Sequence, residues 1–93
     1  LEVKIMMKTE NELKIEIKGE DHTLLNLLRI TLLEYPSVET VWYDVSHPLV
    51  SSPLLYLKTK DEDPIELLRK VLKRLKEDLD EMENKFKEAL KIG

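Results

Sequence analysis

From Glu20 to Thr23 the chain sets two acids, a histidine and a hydroxyl side by side, in the order Glu-Asp-His-Thr. An aspartate–histidine pair beside a hydroxyl is the raw material of an activated nucleophile. His22 and His47 are the only histidines, and with a nearby carboxylate they would supply a two-histidine metal site. Neither constellation has the spacing its chemistry needs. Adjacent residues at a helix start do not converge on one point, and no HxH or HxxxH pair is present. Asp21 or Thr23 has a simpler use as a helix N-cap, accepting from backbone N–H groups that the first turn leaves unpaired. The absence of cysteine removes thiolate nucleophiles, thiolate metal sites and disulfides together. Two glycines, Gly19 and Gly93, cannot build a glycine-rich phosphate loop. Trp42 beside Tyr43 suggests base stacking, but in a strand the pair reads as one core and one surface residue. No catalytic residue, metal or cofactor is expected.

The bulk numbers narrow the class further. Ninety-three residues suit one domain, taken as 1–93, with 42% hydrophobic and 37% charged residues. The net charge is −4, and lysines and arginines are interspersed with acids. A protein that grips phosphate backbones by itself shows a positive footprint, so no direct nucleic-acid binding is expected. No apolar run approaches the roughly 18 residues of a membrane span, and no signal peptide is expected. A cytoplasmic location fits these features and the lack of cysteine.

The elements that would position any site are readable from periodicity. Val3, Ile5 and Met7 alternate with Lys4, Met6 and Lys8, and Leu13, Ile15 and Ile17 alternate with Lys14, Glu16 and Lys18. Both runs predict half-buried strands, joined by Thr9-Glu10-Asn11. A helix is predicted from about Thr23 to Tyr35, stopped by Pro36. Strands follow over 38–45 and 54–60, separated by a loop from Ser46 to Pro53. A long helix then runs from Pro64 to about Lys91. The order ββαββα predicts an α+β fold of two layers: a four-stranded, mostly antiparallel sheet with both helices on one face.

The long helix asks for a partner. Asp63 suits the N-cap, Pro64 the first helical position, and Glu66 completes a capping-box-like pair. Ile65, Leu68, Leu72, Leu75, Leu79, Met82, Phe86 and Ala89 are spaced 3, 4, 3, 4, 3, 4, 3, a strict heptad seam. Other faces carry i,i+4 charge pairs, namely Glu66–Lys70, Glu81–Lys85 and Glu83–Lys87. About 28 residues span roughly 42 Å, against about 30 Å for a small domain, so the sheet cannot cover the whole seam. An uncovered outer half would expose Leu79, Met82 and Phe86 together, which lone soluble proteins rarely tolerate. In the first helix, Leu24, Leu25, Leu27, Leu28, Leu32 and Tyr35 share one broad arc, while Ile30 and Leu33 lie outside it beside Asn26 and Arg29. A helix apolar on nearly all sides is usually buried on more than one.

The block "GEDHTLLNLLRITLLEYPSV", then "VSHPL", a strand, an acidic turn, a proline and a long helix together resemble the archaeal RNA polymerase subunit L family. That family includes the small α-like subunit of the eukaryotic nuclear polymerases and is similar to the dimerisation domain of the bacterial α subunit. Asp21, His22, Thr23, Leu24, Asn26, Leu28 and Arg29 fall on the family's helix block, and His47, Pro48 and Leu49 on its loop motif. The resemblance implies a non-catalytic assembly subunit of DNA-directed RNA polymerase. It implies a heterodimer with the larger α-like polymerase subunit, the D-type chain, made by helices packing on helices. That pair is in turn implied to be a platform for the large catalytic subunits. The interface implied comprises Leu25, Arg29, Ile30, Leu33, Leu72, Leu75, Leu79, Met82 and Phe86. The arginine corresponding to Arg29 is associated in α-type subunits with contact to a large subunit; an intradomain salt bridge is the other reading. At Leu25 the family often has glycine or another small residue, so leucine implies reshaped packing there. Asp61-Glu62-Asp63 replaces the usual glycine turn. A homo-oligomeric structural protein, pairing two copies of the seam, is the alternative, and a small enzyme using His22 or His47 a third.

Overall fold

The computed structural model describes residues 2–18, 22–44 and 53–92. Its elements are β1 (Glu2–Lys8), β2 (Glu12–Lys18), α1 (His22–Leu32), β3 (Val38–Asp44), β4 (Leu54–Thr59) and α2 (Pro64–Ile92). They form the α+β arrangement the periodicity predicts. The strands make one sheet in the order β1-β2-β4-β3, every neighbouring pair antiparallel.

Local chemistry explains the joints. In the β1–β2 turn, Thr9 N–H donates to the Glu12 carbonyl at 2.9 Å, and Glu12 N–H donates back to Thr9 Oγ1 at 3.0 Å. Asn11 ties this turn to the end of β4 by donating from Nδ2 to the carbonyl of Lys60, the residue after the strand, at 2.8 Å. α1 ends at Leu32, three residues short of Tyr35. There the bonding tightens to three-residue spacing, with Glu34 N–H on the Thr31 carbonyl and Tyr35 N–H on the Leu32 carbonyl. Pro36, which has no N–H and disfavours helical angles at Tyr35, follows immediately.

The core lies between the sheet and the helices. Leu13, Ile15 and Ile17 from β2, Leu55 and Leu57 from β4 and Val41 from β3 meet Leu25, Leu28 and Leu32 from α1 and Leu67 and Val71 from α2. Each side chain of this kind, fully buried, contributes about 1.5–3 kcal/mol. Among the described residues Thr59 and Thr31 are the buried polar ones; Thr31 Oγ1 donates to the Leu27 carbonyl at 2.8 Å, and Thr59 Oγ1 donates to the Glu62 carbonyl.

One detail departs from the alternation in the sequence. The register of β1 on β2 shifts between Ile5 and Met7, so Val3 and Ile5 share the helix-side face with Ile17 and Ile15 while Met7 pairs with Lys14 on the other. A bulge inserts one unpaired residue and turns the following side chains over. In β3 the alternation holds between Val41 and Tyr43, and it places Trp42 on the outer face. It stacks on Tyr56 with ring centroids 5.2 Å apart, under the Lys14 ammonium at 6.0 Å. Tyr43 is the member of the pair that packs against the core.

Candidate partner-binding surface

α2 carries two apolar stripes, and they do different things. Its first turn is fixed by Asp63, whose Oδ1 accepts from Ile65 N–H at 2.8 Å; that bond holds the Asp63 carboxyl below its usual range. Glu62 beside it accepts from Lys70 Nζ at 2.7 Å and Ser37 Oγ at 2.9 Å, and these bonds lower its pKa too. Lys70 therefore pairs with Glu62 rather than with Glu66, whose carboxylate stands 3.9 Å from Arg69. Farther along, Glu81–Lys85 and Glu83–Lys87 are both 3.1 Å pairs. Anchored this way, the helix lays Pro64, Leu67 and Val71 on the sheet, Leu67 and Val71 being 0% exposed.

The heptad seam is not that stripe. Ile65, Leu68 and Leu75 pack on the core's margin, whereas Leu72, Leu79, Met82, Phe86 and Leu90 are exposed, Met82 and Phe86 each at 66%. At about 100° per residue, the seam is turned roughly a quarter of a circle or less from the Leu67–Val71 face. Periodicity offers no reason to separate them, because in the first three turns both stripes are apolar.

α1 divides the same way. Leu25, Leu28 and Leu32 face the sheet, and Leu24, Leu27, Ile30 and Leu33 are exposed. The expectation that Leu25 meets a partner is corrected: at 1% exposure it fills the chain's own core and leaves no surface to cover. Arg29 donates from Nη2 to Asn26 Oδ1 at 2.9 Å, one turn back on its own helix. Among the described residues no carboxylate stands within ion-pair distance of it, so the intradomain salt bridge is not formed there. Thr23 lies inside the first turn rather than before it, which takes it off the capping position. Asp21, His47, Pro48 and Leu49 fall outside the described residues, as does the side chain of His22.

The exposed stripes of the two helices adjoin. Between them runs a groove of about 290 Å³ whose walls include Leu27, Leu75, Leu79 and Met82. Arg74 closes one side. It donates to the Tyr35 hydroxyl at 3.3 Å, bonds Glu34 at 3.2 Å and stands 3.9 Å from Asp78. The Tyr35 hydroxyl and Glu34 push the Arg74 pKa up, keeping the cation fixed beside the groove. A second concavity, under β1, brings in Val3, which is 58% exposed although period-two alternation puts it on the apolar face of its strand. Among the described residues no group of acids and histidines is arranged to hold a metal ion. No helix there is long and apolar enough to cross a membrane.

A sheet with one face packed under two helices, whose outer sides stay apolar along a helix longer than the sheet is wide, defines a dimerisation module. The chain belongs to the Rpb11/Rpo11-type family of small archaeal RNA polymerase subunits: residues 12–85 match the family described as RNA polymerase Rpb3/Rpb11 dimerisation domain. It is 41% identical over 90 residues to DNA-directed RNA polymerase subunit Rpo11 of Methanococcoides burtonii, covering 97% of this chain and 99% of that protein. Rpo11 of Sulfurisphaera tokodaii is 39% identical over 92 residues, with 98% and 95% covered. The crystal structure of DNA-directed RNA polymerase subunit L from Thermoplasma acidophilum has the same fold. Its TM-score is 0.86 at 22% identity, over 94% of this chain and 86% of that one.

Proposed function

We propose that this chain pairs through its exposed helix face with the larger α-like polymerase subunit, the D-type chain, and that the pair is the platform on which the large catalytic subunits assemble. The carrying observation is the outer seam, Leu79, Met82 and Phe86, which together with Leu90 beside it extends α2 by three turns of apolar surface that the chain's own sheet does not reach. A contiguous surface of this kind is the mark of a protein interface. Leu72, Leu75, Leu79, Met82 and Phe86 from α2 join Ile30 from α1 and Leu33, the residue after it, on the pairing side. Arg29, held by Asn26 and with donors left over, is the residue proposed to meet a large subunit. The same reading puts the chain in the cytoplasm, where an archaeal polymerase works.

Co-expression with the cognate α-like subunit tests the pairing. A stable one-to-one complex is expected; failure to associate at native-like salt and temperature overturns it. Native mass spectrometry separates the homo-oligomeric reading, since a dimer of this chain that persists when the α-like subunit is added would favour that alternative. Arg29→Ala is expected to leave the pair intact and to reduce its incorporation into the larger assembly.

A further inference from the structure

Beneath the free edge of the sheet is a concavity that the helix seam alone does not explain. It measures about 180 Å³ and is lined wholly by apolar side chains. Ile15, Leu25 and Leu28 form its floor, all buried in the core. Its rim is Val3 on β1, Leu24 on α1 and Leu72 on α2, all exposed. The bulge after Ile5 matters here, because the strand residues before it are the ones kept on the helix side, with Val3 opposite Ile17. β1 therefore extends the sheet beyond the helices and leaves an open slot between them.

We propose that this slot is a socket for one aromatic side chain carried by a helix of the dimerisation partner, an inference that rests on the pairing reading above. Three observations carry it. Leu72 belongs both to the exposed stripe of α2 and to the rim, so the socket is continuous with the pairing face. The lining offers no polar group, so a charged or hydrogen-bonding occupant would lose its hydration without compensation. The volume suits a ring, since an apolar cavity of about 150 Å³ takes up benzene. A buried aromatic in a pocket near the centre of an interface is also the usual form of an anchoring residue. The family description names two different chains, Rpb3 and Rpb11, which favours a partner of another sequence over a second copy of this one.

The socket is tested on the full chain, alone and with the α-like partner, using benzene as the probe and methyl NMR as the readout. In the isolated chain, benzene is expected to shift the Val3, Leu24 and Leu72 methyl signals; in the complex those signals no longer respond. Val3→Trp fills the slot from an exposed edge position, and is expected to weaken pairing by about tenfold or more while the melting temperature holds. Leu24→Trp does the same from the other rim if Val3→Trp folds poorly. A complex that forms while its socket methyls still answer to benzene overturns the inference and leaves the pairing intact. A benzene response that disappears from the isolated chain as its concentration rises, together with sedimentation as a dimer, assigns the socket to a second copy and overturns it too. If Phe86→Asp pairs as well as the natural chain, the pairing reading itself fails, and the inference with it.

Discussion

From Pro64 to Leu75, each turn of α2 sets at least one side chain on or against the core; from Leu79 to Leu90 the same helix buries none. The seam does not distinguish the halves, since both carry it. The breadth of the apolar arc does. The first half is apolar over a wide arc, with Leu67 and Val71 added beside Leu68 and Leu72, and so has enough surface for the sheet and still some to spare. The second half has only the narrow seam, flanked by charged residues. A wide arc serves a domain core and a narrow one serves a helix-to-helix contact. One element is thus both a structural member of this chain and a projection toward another, and the long axis of 50 Å against 34 and 18 Å reflects that projection.

Substitutions should separate the two roles. The largest effect is expected at Leu67. Leu67→Ala removes a fully buried side chain and should cost about 2–5 kcal/mol of folding stability. Leu67→Asp, which buries an unpaired charge, should leave the chain unfolded by circular dichroism, as should Leu28→Asp on α1. Phe86→Asp comes next. It should lower affinity for the α-like partner by more than about a hundredfold in a calorimetric titration, with the melting curve of the isolated chain unmoved. Deleting residues 80–93 should repeat that outcome, giving a chain that melts cooperatively and does not pair. If Phe86→Asp destabilised the isolated chain as much as Leu67→Ala, the two halves of α2 would not be separable.

Much of this is readable in the sequence, and the parts that are not have physical causes. Element order, the Asp63 cap and the outer seam all follow from period and capping chemistry, because a strand or helix half in water must alternate. What periodicity hides is which of two apolar stripes meets the sheet. Counting heptads picks the most regular stripe, and regularity is a demand of partner helices rather than of a domain core. Leu25 is misread for a different reason: its spacing puts it on one arc with Leu28 and Leu32, which do face the sheet, and it is the resemblance that assigns it to the partner. The bulge at Met6 is invisible because two adjacent methionines satisfy either register, and it is this bulge that keeps Val3 and Ile5 on the helix side while Met7 turns outward. Trp42 shows the converse. Its size suggests core, but its cross-strand partner Tyr56 and the Lys14 ammonium give it an adequate site on the outer face.

The smallest effects belong to the polar anchor that sets α2 on the sheet. Glu62 and Asp63 both titrate below the ordinary carboxylate range in the folded chain, Glu62 chiefly through the bond from Lys70 and Asp63 chiefly through the bond from Ile65 N–H. A group whose folded pKa is depressed adds stability that is present above its ordinary value and lost as acid protonates it. The ordinary values are 4.5 for Glu62 and 3.8 for Asp63, so the loss begins as pH falls toward these values and is complete only below the depressed ones. Because Lys70 and half of Asp63 are in solvent, the contribution is modest, as for other exposed pairs. Melting midpoints of the isolated chain between about pH 7 and about pH 3 should therefore decline less steeply in Glu62→Gln and Asp63→Asn than in the natural chain. Glu62→Gln keeps the shape of the side chain and, with its amide oxygen toward Ser37, the bond from that residue; it removes both the charge facing Lys70 and the oxygen that accepts from it. Parallel declines in all three proteins would show that the carboxylate charges of Glu62 and Asp63 add nothing measurable to the docking of α2, which then rests on Pro64, Leu67 and Val71 and on bonds that the amides keep.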